Sequence, residues 1–254
     1  MQAISTTLPQ AAADADILLE RQVESYWDHR SEEFSTKRRR ELDGPDGAAW
    51  RRLLTQYIDG IWPDMHHLRV LDVGTGAGFF AILLAEMGAR VTGIDMSREM
   101  LHEAKENSLA YGVSSLTEFR PMNAQELDFD DASFDIVISR NLTWTLPDAA
   151  QAYREWSRVL KAGGLLLNFD SDYSQTVWTQ DNTGDELADA TLAECTAIKN
   201  AMSINEEERP AWDMAQLQSL GLTVRLQADI RPQVHLDPLL IFDAQPLFAL
   251  CAQK

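Results

Sequence analysis

The sequence predicts an α/β fold, a mostly parallel sheet with helices wound on both faces. Two observations carry this. From residue 69 onward, short apolar runs alternate with segments of helical period, the pattern of parallel strands joined by crossover helices. Between the first run and its helix lies "DVGTGAG", with Gly74, Gly76 and Gly78 crowded together. Such a cluster weakens any regular element, because glycine loses the most backbone entropy on ordering, so it points to a turn that a ligand approaches closely. A length of 254 residues suits one such domain with additions.

Taken in order, Leu19, Val23, Tyr26, Trp27, Arg30 and Phe34 fall near i, i+4, i+7 spacing and predict an amphipathic N-terminal helix. The first dozen residues read as disordered. "DGPDG" at 43–47 breaks the helix, and helical periodicity resumes over 48–59. Residues 69–73 read as a buried strand, 77–87 as a helix stopped by Gly88, and 90–94 as a second strand. Ser97 caps a helix lasting to about Ala110, and a strand follows at 117–120. "FDIVIS" (134–139) is a fourth strand. Pro147 opens a helix with Tyr153, Trp156, Val159 and Leu160 on one face. Gly163 and Gly164 end it, and "LLLNFD" (165–170) is a fifth strand.

Beyond Asp170 the rhythm breaks. Residues 183–200 and 212–220 read as helices, and 222–227 and 247–252 as late strands. The expected organisation is therefore a helical cap or lid over 1–60 and a ligand-binding core over 61–170. A helical insertion at 171–210 follows as a candidate substrate wall, and 211–254 completes the sheet.

Composition narrows the partners. The chain holds 22 Lys and Arg against 40 Asp and Glu, a net charge of −18 that repels nucleic acid and anionic membranes. The exception, "KRRR" at 37–40, sits among Glu32, Glu33 and Glu41 and reads as a solvated helix face. Cys195 and Cys251 alone cannot form a disulfide framework or a cysteine-built metal site, and they suit a reducing compartment. The N-terminus lacks the basic and apolar segments of a secretory signal, and no run of about 18 apolar residues occurs. The expectation is a cytoplasmic protein with a small-molecule substrate, monomeric or homodimeric. The five histidines show no ligand spacing, so no metal is expected.

In sheets of this kind ligands lie at the carboxyl ends of the strands, where strand order reverses. Gly74–Gly78, Asp95, Asn123, Arg140 and Asp170 fall along that rim. Gly76, Gly78 and Ala81 match G-x-G-x-x-A, which by itself fits a dinucleotide site. Asp72 argues otherwise: at the tip of the first strand its carboxylate would repel a pyrophosphate at close range. A ligand bearing an ammonium and a sulfonium would be attracted instead, and S-adenosylmethionine is such a nucleoside. Gly74, Gly76 and Gly78 then give its methionyl arm close access to the backbone. Asp95 can accept from both ribose hydroxyls, while Ser97 caps the following helix.

The run "VLDVGTGAGFFAILLAEMGARVTGIDMSREMLHEAKENS" resembles the cofactor half of class I S-adenosylmethionine-dependent methyltransferases. It is closest to the small-molecule group that contains the ubiquinone and menaquinone biosynthesis enzymes. "PMNAQELDFDDASFDIVISRN" resembles that group's adenine-side loop and fourth strand, and "AYREWSRVLKAGGLLLNFD" its next helix, Gly-Gly turn and fifth strand. "SYWDHRSEEFS" (25–35) resembles its N-terminal cap more loosely. The resemblance implies a Rossmann-like, doubly wound, seven-stranded sheet whose last strand runs antiparallel. It also implies a cofactor site of Asp72, Gly74, Thr75, Gly76, Gly78, Asp95, Met96, Asn123, Ala124, Gln125 and Arg140. The group often carries an acidic residue where Asn123 stands here, although the asparagine oxygen can still accept from the adenine amine.

Methyl transfer is an in-line displacement whose electrophile comes from the cofactor, so the protein need only align a nucleophile and exclude water. His29 on the cap helix is a candidate general base. Asp170 and Tyr173, beyond the fifth strand, could orient or deprotonate an acceptor. Tyr26, Trp27, Asn141 and Trp144 are candidate acceptor contacts. "SRNLTWTLPD" lacks the Asn/Asp-Pro-Pro-aromatic clamp of DNA and glutamine methyltransferases, which again points to a small acceptor. The expected function is methyl transfer to O, N, S or C of a small metabolite. The alternatives are a nicotinamide-dependent oxidoreductase and a non-catalytic regulator that binds S-adenosylmethionine.

Overall fold

The computed structural model describes residues 7–179, 189–240 and 245–254, with side chains from residue 15 onward. The start of the helix expected at 183–200, and the first six residues, lie outside the described residues. From residue 7 the expected disorder gives way to α1 (Thr7–Asp43), which precedes α2 (Pro45–Ile58). The break falls where the sequence placed it, with Pro45 at the first turn of α2. Gly47 lets the two helices fold tightly together: a Cβ there would lie 2.2 Å from the Leu42 carbonyl oxygen.

The alternating region follows as β1 (Arg69–Val73), α3 (Phe79–Glu86), β2 (Arg90–Asp95), α4 (Arg98–Ala110), β3 (Thr117–Pro121), β4 (Phe134–Arg140), α5 (Ala149–Val159) and β5 (Leu160–Ser171). Then come α6 (Asp189–Ala201), α7 (Ala211–Ser219), β6 (Thr223–Gln227), α8 (Arg231–Val234) and β7 (Leu247–Gln253). The strands form one seven-stranded sheet in the order β3-β2-β1-β4-β5-β7-β6. β1 to β5 pair in parallel, and β7 lies antiparallel between β5 and β6. Strand order therefore reverses between β1 and β4, which sets the crevice for a ligand at their carboxyl ends.

Three boundaries differ from expectation for local reasons. Gly78 has φ 86, a left-handed conformation that cannot open a helix, so α3 begins at Phe79. The Asp148 side chain accepts from Gln151 N at 2.8 Å and caps α5, leaving Pro147 in the preceding turn. Gly163 and Gly164 lie within β5 rather than ending a helix. Leu160 already pairs with Phe134, and the register shifts before Ile136 meets Leu165. The glycines thus form an irregularity in the strand.

The two faces of the sheet bury separate aromatic cores. Trp50 of α2 packs edge-on against Phe80 and Phe169 at 5.1 and 5.0 Å. On the other face Tyr153 and Trp156 of α5 are fully buried. Among the described residues no helix is long and apolar enough to cross a membrane.

Candidate functional site

β1 delivers Asp72 to the crevice at its tip. Asp72 is 2% exposed, and its Oδ2 accepts from Thr75 Oγ1 at 2.6 Å and from Ala81 N at 3.1 Å. Among the described residues Oδ1 has no hydrogen bond, and Asp72 lines the cavity. Burial pushes the carboxyl up to about 7 against those two hydrogen bonds, with the nearby Asp95 adding to the rise. Asp95, at the end of β2, accepts from Gly76 N at 2.9 Å and Ser97 N at 3.0 Å. Desolvation raises it to about 6 despite these bonds. Ser97 caps α4 by accepting from Met100 N at 3.0 Å, the role expected of it.

All three glycines of the loop have positive φ, at 67°, 51° and 86°. Their neighbours differ. A Cβ on Gly74 would lie 2.8 Å from the Leu142 side chain, and one on Gly78 3.2 Å from Ala104 of α4. At Gly76 it would meet the Phe34 ring of α1 at 3.2 Å, across the cavity. Gly76 is thus the glycine whose missing side chain faces the cavity. Gly74 serves backbone conformation and close packing although it borders the cavity, and Gly78 lies outside the lining.

Above this floor lies a cavity of about 210 Å3. α1 roofs it. Trp27 stands edge-on to Tyr26 and Phe34 at 5.1 and 5.4 Å, and all three line the space. The roof is fastened to the rim where Ser97 Oγ donates to Asp28 at 2.6 Å. It is fastened to α4 where Asn107 donates to Ser35 at 3.0 Å. The side wall is aromatic: Trp144, Tyr173 and Trp178 sit with ring centres 5.2–5.5 Å apart. Thr75, Met96, Ala124, Gln125, Arg140 and Asn141 complete the predicted residues that line it. Asn141 has φ 52, and its Oδ1 is buried with no hydrogen-bond partner among the described residues.

Three further expectations are corrected. His29 is exposed and absent from the lining, so it is not placed to act as a base. The cavity-facing stripe of α1 runs through Glu20, Val23, Trp27, Arg30, Phe34 and Arg38, and His29 falls on the other side of the helix. Asp170 is fully buried behind the rim, accepting from Thr143 N at 3.0 Å and from Arg209 at 3.3 Å, so it is structural. Asn123 does not line the cavity. Its amide donates to Glu20 Oε1 at 2.8 Å, and its oxygen accepts from Gln125 N at 2.9 Å. Glu20 also accepts from Gln125 Nε2 at 2.8 Å, so the carboxylate at this loop comes from α1. The sequence reading missed Glu20, Asp28, Arg38 and Trp178. Helical spacing from Trp27 and Phe34 could have found Glu20 and Arg38, because they share that stripe.

The basic run is not simply solvated. Arg39 and Arg40 are exposed, but Lys37 and Arg38 line the cavity. Arg38 pairs with the fully buried Glu41, which also accepts from Trp50 Nε1 at 3.1 Å and from Arg140 at 2.9 Å. Burial opposes the charge on Glu41, yet Arg140 and Arg38 outweigh it and hold the carboxyl below its ordinary value. His235, on the far side of the same group, is pushed down to about 3 by burial and by Arg140, and so is neutral.

Residues 71–168 match the family described as "Methyltransferase domain". Over 99 residues the chain is 42% identical to the phosphatidylethanolamine N-methyltransferase of Cereibacter sphaeroides, covering 39% of this chain and 48% of that protein. Over 103 residues it is 35% identical to the ubiquinone biosynthesis O-methyltransferase of Colwellia psychrerythraea, covering 40% and 41%. The chain thus spans about half the length, or less, of these curated relatives. An S-adenosylmethionine dependent methyltransferase from Mesorhizobium loti shares the fold, with a TM-score of 0.58 and 20% identity over 84% of this chain and 100% of that one.

Proposed function

We propose, from the match of residues 71–168 to the family described as "Methyltransferase domain", that the chain transfers a methyl group from S-adenosylmethionine to an O, N, S or C nucleophile of a small metabolite. The observation that carries this reading is the pair of carboxyl groups, Asp72 and Asp95, on adjacent strand ends of one roofed cavity. A pyrophosphate would meet both at close range, which disfavours a nicotinamide dinucleotide. The relatives named for phosphatidylethanolamine and ubiquinone biosynthesis act on small molecules by their names, which supports a small acceptor.

The cofactor supplies an electrophilic methyl carried on a sulfonium. The residues around it bind, orient and keep water away. Asp72 would hold the ammonium with its free oxygen, and Asp95 would accept from the ribose hydroxyls. Gly76 gives the methionyl arm access to the backbone, and Met96, Ala124 and Gln125 border the base. Tyr26, Trp27, Trp144 and Tyr173 form an apolar wall that excludes water around the nucleophile. Tyr173 alone of the predicted catalytic trio faces the cavity. The acceptor's alignment, rather than a dedicated histidine or carboxylate base, then sets the rate.

The test is incubation with methyl-labelled S-adenosylmethionine and a metabolite extract, with calorimetry of S-adenosylhomocysteine beside it. Label appearing in a small molecule is the expected result. Micromolar binding of a nicotinamide dinucleotide with none of S-adenosylhomocysteine would overturn the reading.

α1 acts as the lid in this proposal. Trypsin cleavage at the exposed Arg39 and Arg40 should slow by about threefold or more when S-adenosylhomocysteine is bound, because closure raises the cost of local opening. Equal cleavage rates would mark α1 as permanent core.

A further inference from the structure

Charges of both signs line the cavity. Asp72, Asp95, Glu20 and Glu24 line it around the first three strands, while Arg30, Lys37, Arg38 and Arg140 also line it. Four bases beside four acids make the lining richer in positive charge than a chain with 22 Lys and Arg against 40 Asp and Glu. Arg140 is the most telling of them. It is the last residue of β4, with its side chain 8% exposed. Its guanidinium lies 4.7 Å from the Trp50 ring centre and 5.0 Å from that of Phe79. One nitrogen reaches Glu41 at 2.9 Å. Nε and Nη1 are buried with no hydrogen-bond partner among the described residues.

Buried guanidinium N–H groups are costly to leave without an acceptor, and a fixed fork of them matches a carboxylate or a phosphate. The carboxylate paired with Arg140 is Glu41, which Arg38 shares. His235 is neutral, so the group carries a net positive charge beside the cavity.

Resting on the methyl-transfer reading, we propose that the acceptor is an anion, a small molecule whose carboxylate or phosphate is held by Arg140 with Arg38 and Lys37 beside it. This moves Arg140 from the cofactor, where the sequence placed it, to the acceptor. Arg38 and Arg140 share the single charge of Glu41, so their group keeps one net positive charge that one acceptor anion neutralises, and the cofactor's own carboxylate is the competing source that the experiment separates. The aromatic lining of Phe34, Phe79 and Phe80 favours an anion that carries an apolar body.

The experiment measures binding of benzoate, phenyl phosphate, benzamide and benzylamine to the full-length protein saturated with S-adenosylhomocysteine. Benzoate or phenyl phosphate should bind at least about tenfold more tightly than benzamide, and which anion wins identifies the headgroup. In Arg140→Gln that preference should fall below about threefold while S-adenosylhomocysteine affinity is kept, and Arg140→Lys should restore part of it. The comparison of probes on the parent needs no variant, so a misfolded Arg140→Gln does not spoil the test. Benzamide or benzylamine binding as well as the anions would overturn the proposal. So would an Arg140→Gln that weakens S-adenosylhomocysteine but not 5′-methylthioadenosine, because the anion would then be the cofactor's own carboxylate. Failure of the parent to bind S-adenosylhomocysteine would sink the proposed function instead, and the anion preference would still be read on the free protein.

Discussion

Replacing Arg209 by methionine is expected to cost the fold about 3–5 kcal/mol, the scale of stripping the partner from a buried ion pair. The side chain is fully buried. It donates to Asp213 at 2.9 and 2.8 Å, to Thr143 Oγ1 at 2.6 Å, to Ser171 O at 3.2 Å and to Asp170 at 3.3 Å. These bonds tie α7, the turn after β4 and the end of β5 together. Tyr153 adds α5 by donating to Asp213 at 2.6 Å. Without Arg209, Asp170 and Asp213 are two carboxylates facing each other in the interior. Urea unfolding at pH 7 should show the loss. It should shrink as pH falls, because protonation removes the repulsion, and adding Asp170→Asn and Asp213→Asn should recover part of it. Unfolding unchanged from the parent would mean that the cluster contributes little.

Asp72→Asn should move stability and binding in opposite directions. Burial raises the Asp72 carboxyl from 3.8 to about 7, so the free protein favours its protonated form. The contribution to stability is therefore full below about pH 4 and is lost as pH rises through about 7. Above that the free protein carries a buried charge costing at most about 4 kcal/mol, by the linkage between pKa and free energy. Asparagine keeps an oxygen for Thr75 and Ala81 and cannot ionise. The variant should thus be more stable than the parent by about 1–3 kcal/mol at pH 8 and not at pH 4. Its affinity for S-adenosylhomocysteine should fall by about 1.5–3 kcal/mol, because the charge-assisted contact to the ammonium is gone. In the parent that affinity should rise with pH between about 5.5 and 7.5, as Asp95 near 6 and Asp72 near 7 ionise, and the variant should lose most of the rise. An Asp72→Asn protein that binds like the parent at every pH would remove Asp72 from the site.

Residues whose roles depend on near neighbours were read well. Ser97 was legible as a cap because its acceptor geometry involves Met100, three residues on. Asp72 and Asp95 were legible as rim residues because the last residues of parallel strands face the crevice whatever the rest of the chain does. The failures share a different character. Asn123 was given an oxygen free for a ligand, but Glu20, 103 residues earlier, engages its amide and turns it from the cavity. Asp170 looked like a rim carboxylate until Arg209, from the segment before α7, claimed it. Gly74 and Gly78 were read as space for a ligand, and that space belongs to Leu142 and Ala104.

The sequence by itself determined the order and kind of the elements from β1 to β5, the position of the crevice and the acidic residues at its floor. Periodicity, caps and strand ends act within a few residues, so they survive without tertiary information. Only the tertiary structure decided which residues face the cavity. The rotation of α1 about its own axis is fixed by contacts with distant partners, Asp28 with Ser97 and Ser35 with Asn107. That rotation turns His29 to solvent, lowers Trp27 and Phe34 onto the glycine loop, and carries half of a basic run into the interior beside Arg140. Periodicity predicts that a helix has an apolar stripe. Which neighbour the stripe meets is set by packing across the fold.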